Sequence, residues 1–141
     1  MGRRSAYLEH LAKVPMFSAC SKRELQLIAG RGTDVAVDAG KQLVVEGRTG
    51  VEFFVIVDGK AKVTRSGKEV AVLGPGDFFG ELALLTRAPR NATVTAATPL
   101  EAIVIDARAF DGFLEDAPHV AKKVMTGLAQ RLQELDAKLY V

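Results

Sequence analysis

Between Phe78 and Val94 the chain reads FFGELALLTRAPRNATV, and two charged side chains, Glu81 and Arg90, stand in a largely apolar stretch. Glu81 follows a glycine directly. Glu81 to Leu85 are good helix formers, and Pro89 stops the run, so one or two helical turns are expected between strands. Such a turn begins with unpaired backbone N–H groups that carry partial positive charge. Gly80 lets an anion come close to that backbone. After Pro89 the chain must fold back, which can return Arg90 to the same space, and an arginine placed there makes sense if an anion lies between. A phosphate would repel Glu81 unless the carboxylate faces another part of the ligand, for which a ribose hydroxyl is the obvious donor. Phosphate and sugar together describe a nucleotide. A plainer reading uses the same residues: Glu81 as a first-turn carboxylate favoured by the helix dipole, Arg90 as its ion-pair partner, and Leu82, Leu84 and Leu85 as core. The chemistry of the residues leaves both open.

The elements that must position this stretch follow from pattern. At 141 residues and 15.1 kDa the chain fits one domain, with 48% apolar and 26% charged residues, the proportions of a soluble globular protein. Leu8, Leu11, Leu25 and Ile28 have helical spacing, and Pro15 divides the lead-in into two short helices. Ser21 with Glu24 three residues on is a capping box for the second. From Thr33 to Asp106, Val-, Ile- and Phe-rich segments alternate with glycine turns, which predicts an antiparallel sandwich or barrel. Asp58-Gly59, between FFVIV and KAKVT, is expected to close a type I′ hairpin. After Asp106, Phe110, Phe113 and Leu114 mark a short helix. Val120, Val124, Leu128, Leu132, Leu135 and Leu139 then put one apolar stripe on a longer helix, with Pro118 in its first turn. That stripe suits either core packing or a coiled-coil homodimer seam.

The stretch FGELALLTRAPRNATV resembles the phosphate-binding cassette of the cyclic nucleotide-binding domain, the module shared by catabolite-activator-type regulators, kinase regulatory subunits and nucleotide-gated channels. Gly40, Gly47, Gly59 and Gly76 stand where that family turns its chain, VPMF at 14–17 matches its helical lead-in, and the similarity runs from Lys13 to Tyr140. The resemblance implies a mainly β fold, an antiparallel β jelly roll (double-stranded β-helix) with N-terminal helices and a C-terminal helical lid. It implies a single cyclic nucleotide-binding domain over 1–141: lead-in 1–32, β-roll 33–106 with the cassette at 79–94, and C-terminal helices 107–140. Arg90 would pair with the exocyclic phosphate oxygens and Glu81 would accept the ribose 2′-hydroxyl. Backbone amides from Gly80, Glu81, Leu82 and Ala83, and near Asn91 and Ala92, would complete the cradle. The base would meet the last helix near Arg131, Leu135 and Asp136. Asn91 stands where the family commonly has Ala, Ser or Thr, a position that helps to choose between adenine and guanine. Cyclic AMP is the expected ligand, with cyclic GMP as the alternative.

Other classes fit the composition poorly. A metal-dependent jelly-roll enzyme needs clustered histidines, whereas His10 and His119 fall at opposite ends and read as surface helix residues. Cys20 alone can hold no cluster and reads as a packing residue. The chain is therefore expected to be a sensor and not an enzyme, with no metal. A net charge of +2 argues against a nucleic-acid surface by itself; the first 31 residues hold six Lys and Arg against two Glu, which reads as a solvated face. With the sequence ending at Val141, no helix-turn-helix is expected and so no direct DNA contact. One cysteine, no apolar run of membrane-spanning length and no signal-peptide pattern favour the cytoplasm. The effector is an unidentified protein or domain, and a jelly roll that has lost its ligand and binds only a protein partner is the competing reading.

Overall fold

A computed structural model of the chain describes residues 3–139, with side chains described for 7–136. Eight strands form two four-stranded antiparallel sheets. One has the order β1 (Thr33–Val37), β8 (Leu100–Asp106), β3 (Glu52–Asp58), β6 (Phe78–Phe79). The other has β2 (Gln42–Val44), β7 (Thr93–Ala96), β4 (Ala61–Arg65), β5 (Lys68–Leu73). The expected mainly β roll with flanking helices is observed, as two facing sheets and not a closed barrel among the described residues.

β3 explains its own sequence. Phe54 and Ile56 point into the space between the sheets, beside Val44, Ala61, Val94 and Ala102. Phe53 and Val55 point the other way, into a second core with Phe17, Ile105, Phe110 and Phe113. A strand covered on both faces needs a continuous apolar run, not an alternating one. The second core is closed by α1 (Arg3–Ala12), a 3₁₀ turn at Pro15–Phe17, α2 (Lys22–Ala29), α3 (Ala107–Asp116) and α4 (His119–Leu139). The capping box forms as expected: the Ser21 hydroxyl accepts the Glu24 N–H at 3.2 Å, and the Ser21 N–H donates to Glu24 Oε1 at 2.7 Å.

Asp58-Gly59 does not close a hairpin. β3 and β4 belong to different sheets. A type I′ turn needs positive φ at both central residues, and here only Gly59 has it, at +89°. Asp58 stays in β3, paired with Glu101. A Cβ on Gly59 would collide with the Pro99 carbonyl oxygen, so the glycine marks a close crossing from one sheet to the other. The hairpin lies one turn later, at Ser66 (φ +53°) and Gly67 (φ +79°), between the paired Arg65 and Lys68. Gly40, Gly47 and Gly76 also have positive φ, as turn positions require.

Two further expectations change. The stripe on α4 divides: Val120 and Val124 are buried and Leu128 packs against the core, but Leu132 and Leu135 are exposed. The Leu139 side chain and Tyr140 lie outside the described residues. His10 is half-buried and not fully exposed: its ring packs against Gly76, and its Nδ1 is buried with no hydrogen-bond partner. His119 is exposed, with Nε2 3.2 Å from Glu24 Oε2.

Candidate functional site

The cassette begins where β6 ends. Phe79 stacks on Phe54 with ring centroids 4.7 Å apart, and Phe78 meets Phe53 edge-on at 6.1 Å, which fixes the strand end against both cores. Gly80 then takes a left-handed conformation (φ +83°), and Glu81–Leu84 wind into a 3₁₀ turn. Of the three leucines that could have been core, only Leu84 is buried; Leu82 and Leu85 are exposed.

The return limb is tied to the segment between β2 and β3. Gly47 N–H donates to the Arg90 carbonyl at 2.7 Å, Arg90 N–H donates to the Arg48 carbonyl at 2.8 Å, and Thr49 and Pro89 form an isolated antiparallel bridge. Arg90 Nη2 donates to the Glu52 backbone oxygen at 2.8 Å, and Nε is buried without a partner. Burial pushes the guanidinium below its ordinary value, and the Glu52 charge pulls it back up; an arginine stays charged in either case. No ion pair joins Arg90 to Glu81 among the described residues. Burial pushes the Glu81 carboxyl above its ordinary value, against the opposing pull of its own N–H, the Arg131 charge and the Leu82 N–H.

Glu81 and Arg90 border one cavity of about 280 Å³, together with Gly80, Leu82, Ala83 and Asn91. Thr86, Ala88 and Pro89 complete its lining; sequence reasoning passed over these three because nothing in their types announces a ligand. Ala92 is half-buried and lies outside that lining. The Asn91 backbone oxygen accepts from Arg65 Nε at 3.0 Å. Arg131, Leu135 and Asp136 are exposed on α4 and do not line the cavity. Arg131 nevertheless acts electrostatically on Glu81 while its Nη1 sits 3.4 Å from Glu134. The arrangement offers a cation anchored by the Glu52 carbonyl on one side and a half-buried carboxylate on the other. Such a pairing has the chemistry to accept a small ligand that carries both an anionic group and a hydroxyl.

A two-sheet roll with flanking helices and a cavity bordered by the 80–91 segment defines a domain of the β-roll class with a candidate small-ligand site. Residues 34–117 match the family model for the cyclic nucleotide-binding domain, and the chain belongs to that family. It is 40% identical over 116 residues to the cAMP-dependent protein kinase regulatory subunit of Schizosaccharomyces pombe, covering 82% of this chain and 28% of that one. It is 39% identical over 114 residues to the subunit of the same name from Yarrowia lipolytica, covering 79% of this chain and 30% of that one. The chain thus spans less than a third of the length of these relatives. Among solved structures, the N-terminal domain of a transcriptional regulator from Streptomyces coelicolor A3(2) superposes with a TM-score of 0.83 at 29% identity, covering 91% of this chain and 95% of that one. No helix among the described residues is long and apolar enough to cross a membrane.

Proposed function

We propose that the chain is a regulatory sensor that binds a cyclic nucleotide in the cassette cavity, with cyclic AMP as its ligand. The observation that carries this reading is the convergence of Glu81 and Arg90 on one cavity, with a buried Arg90 Nε that has no partner. Arg90 pairs with the cyclic phosphate, whose single negative charge satisfies the open donor away from bulk water. Glu81 accepts the ribose 2′-hydroxyl, and the backbone at Gly80, Leu82 and Ala83 borders the sugar-phosphate. The cavity lies at the lower edge of the ~300–1,000 Å³ typical of ligand pockets, which suits a sugar-phosphate with its base directed outward. Arg131, Leu135 and Asp136 are then the α4 side chains that receive the base, and α4 moves over it. Asn91, exposed where it lines the cavity, is placed to donate to the phosphate or to a purine edge. The relatives named as regulatory subunits of a cAMP-dependent kinase support the choice of adenine.

Binding is an equilibrium and passes a signal only because one conformation holds the ligand better than another. The effector is a separate protein or domain, and the exposed distal face of α4 is available to it or to a second copy.

Calorimetry with cyclic AMP, cyclic GMP and 5′-AMP tests the ligand. Loss of Arg90 leaves the anion poorly compensated, so Arg90→Ala is expected to cost about 2–5 kcal/mol, roughly thirty-fold to several-thousand-fold in affinity. Unchanged affinity removes Arg90 from the site; no binding of any cyclic nucleotide by the wild type removes the reading. Hydrogen exchange across α4 that is the same with and without ligand rules out its movement.

A further inference from the structure

The Arg90 guanidinium lies between two positions that have no side chain. A Cβ built on Gly50 would collide with its Nε, Nη2 and Cζ, and one built on Gly80 would come within 2.5 Å of Nη1 and 2.7 Å of the Glu52 carbonyl oxygen. The two glycines differ in backbone. Gly80 has φ +83°, so any replacement there is strained as well as crowded. Gly50 does not have positive φ, so its backbone accepts alanine without conformational cost. The three atoms nearest to a methyl group at position 50 all belong to the far end of the arginine. The segment that carries Gly50 also grips the main chain of Arg90 on both sides, through Gly47 N–H and the Arg48 carbonyl, while Glu52 holds Nη2.

Resting on the ligand reading above, we propose that Gly50 is the positioning residue for Arg90: its bare Cα is the seat on which the guanidinium lies flat, and the 47–52 segment sets where the cation points. The fold does not need a glycine at position 50. Any side chain there displaces the guanidinium, a movement that is cheap for a flexible arginine and costly for an anion that must meet it within hydrogen-bonding distance.

The test compares wild type, Gly50→Ala, Arg90→Ala, the double variant and Gly74→Ala, a glycine without positive φ around which a Cβ meets nothing within 4 Å. Expected results are a melting temperature for Gly50→Ala close to that of Gly74→Ala and a loss of about tenfold or more in cyclic AMP affinity for Gly50→Ala alone. In the Arg90→Ala background, Gly50→Ala should cause no further loss, because a residue that acts through the guanidinium has nothing left to act on. Additive losses, or unchanged affinity in Gly50→Ala, overturn the proposal. The Arg90 Nε–Hε resonance, followed by NMR without ligand, decides the matter independently of any nucleotide. It should move in Gly50→Ala and stay in place in Gly74→Ala, and an unmoved resonance overturns the positioning role even if the chain binds no cyclic nucleotide. Should Gly50→Ala not fold, Arg90→Ala/Gly50→Ala restores folding under the proposal, and failure to do so refutes it.

Discussion

Replacing Gly127 by alanine sets two opposing effects of similar size against each other. Gly127 is buried in the middle of α4, where that helix crosses the Pro15–Phe17 turn. Alanine improves helix propensity by about 1 kcal/mol over glycine. The new Cβ, however, would stand 2.5 Å from the Pro15 carbonyl oxygen and 3.2 Å from the Met16 carbonyl carbon and oxygen. These are main-chain atoms, so no rotamer change relieves them; α4 has to lift by roughly 1 Å to regain ordinary contact. Overpacking of this kind costs about 1–3 kcal/mol. The net expectation is a destabilisation of about 1 kcal/mol, or some 3–4 °C in melting temperature for a domain of this size. Gly112 in α3 supplies the internal control. Its Cβ would meet only Arg31 Nη1, at 3.4 Å, the end of a flexible side chain. Gly112→Ala should therefore stabilise by about 0.5–1 kcal/mol. Urea denaturation followed by circular dichroism reads both. If Gly127→Ala proves as stable as Gly112→Ala, the close crossing of α4 over the Pro15–Phe17 turn is not there and the reasoning fails.

The charged groups supply further tests. Glu24, held by Lys123 and Ser21, has its carboxyl lowered to about 2 from 4.5, so its contribution is full above about pH 4.5 and is lost as pH falls toward 2. Lys123→Ala should cost about 0.5–1.5 kcal/mol at neutral pH, because the part-exposed ammonium is screened and Ser21 and His119 still face the carboxylate, and raise the Glu24 midpoint, both visible by denaturation and NMR titration. Glu81 is shifted the other way by burial: the protein is most stable below the carboxyl's unfolded-state value and loses stability as pH rises from there through the raised folded-state value. Glu81→Gln should leave the ligand-free protein as stable or more so at neutral pH. The same change weakens a charge-assisted bond of about 1.5–3 kcal/mol, a roughly tenfold to hundredfold loss of cyclic AMP affinity by calorimetry.

The cassette stood out in the sequence through its resemblance to a family pattern: a carboxylate after a glycine and an arginine after a proline in apolar surroundings are locally unusual, but their chemistry alone left an ion pair and a ligand site both open. Strand pairing carried no such local mark. Asp58-Gly59 and Ser66-Gly67 look alike as dipeptides between apolar segments. What separates them is that Gly59 lies against Pro99, some forty residues away, while Ser66-Gly67 is free to close on its own neighbours. Periodicity likewise identified the apolar stripe of α4, since spacing reveals which side chains share a face. It could not say that cover ends near Leu128, because that depends on where the 3₁₀ turn and α3 happen to lie. Gly50 was hidden for the same reason: in sequence it is one loop glycine among several, and its contact with Arg90 exists only after the 47–52 segment has met the return limb of the cassette.

One carboxylate in this structure serves two masters. Glu24 Oε1 accepts both the Ser21 N–H that starts α2 and the Lys123 ammonium from α4, each at 2.7 Å. Withdrawal of α4 would strip an almost sealed anion of its counter-charge and leave it leaning on a single amide. The start of α2 would then feel any displacement of the far helix, and a spectroscopic label near Ser21 would register a shift that begins a hundred residues downstream.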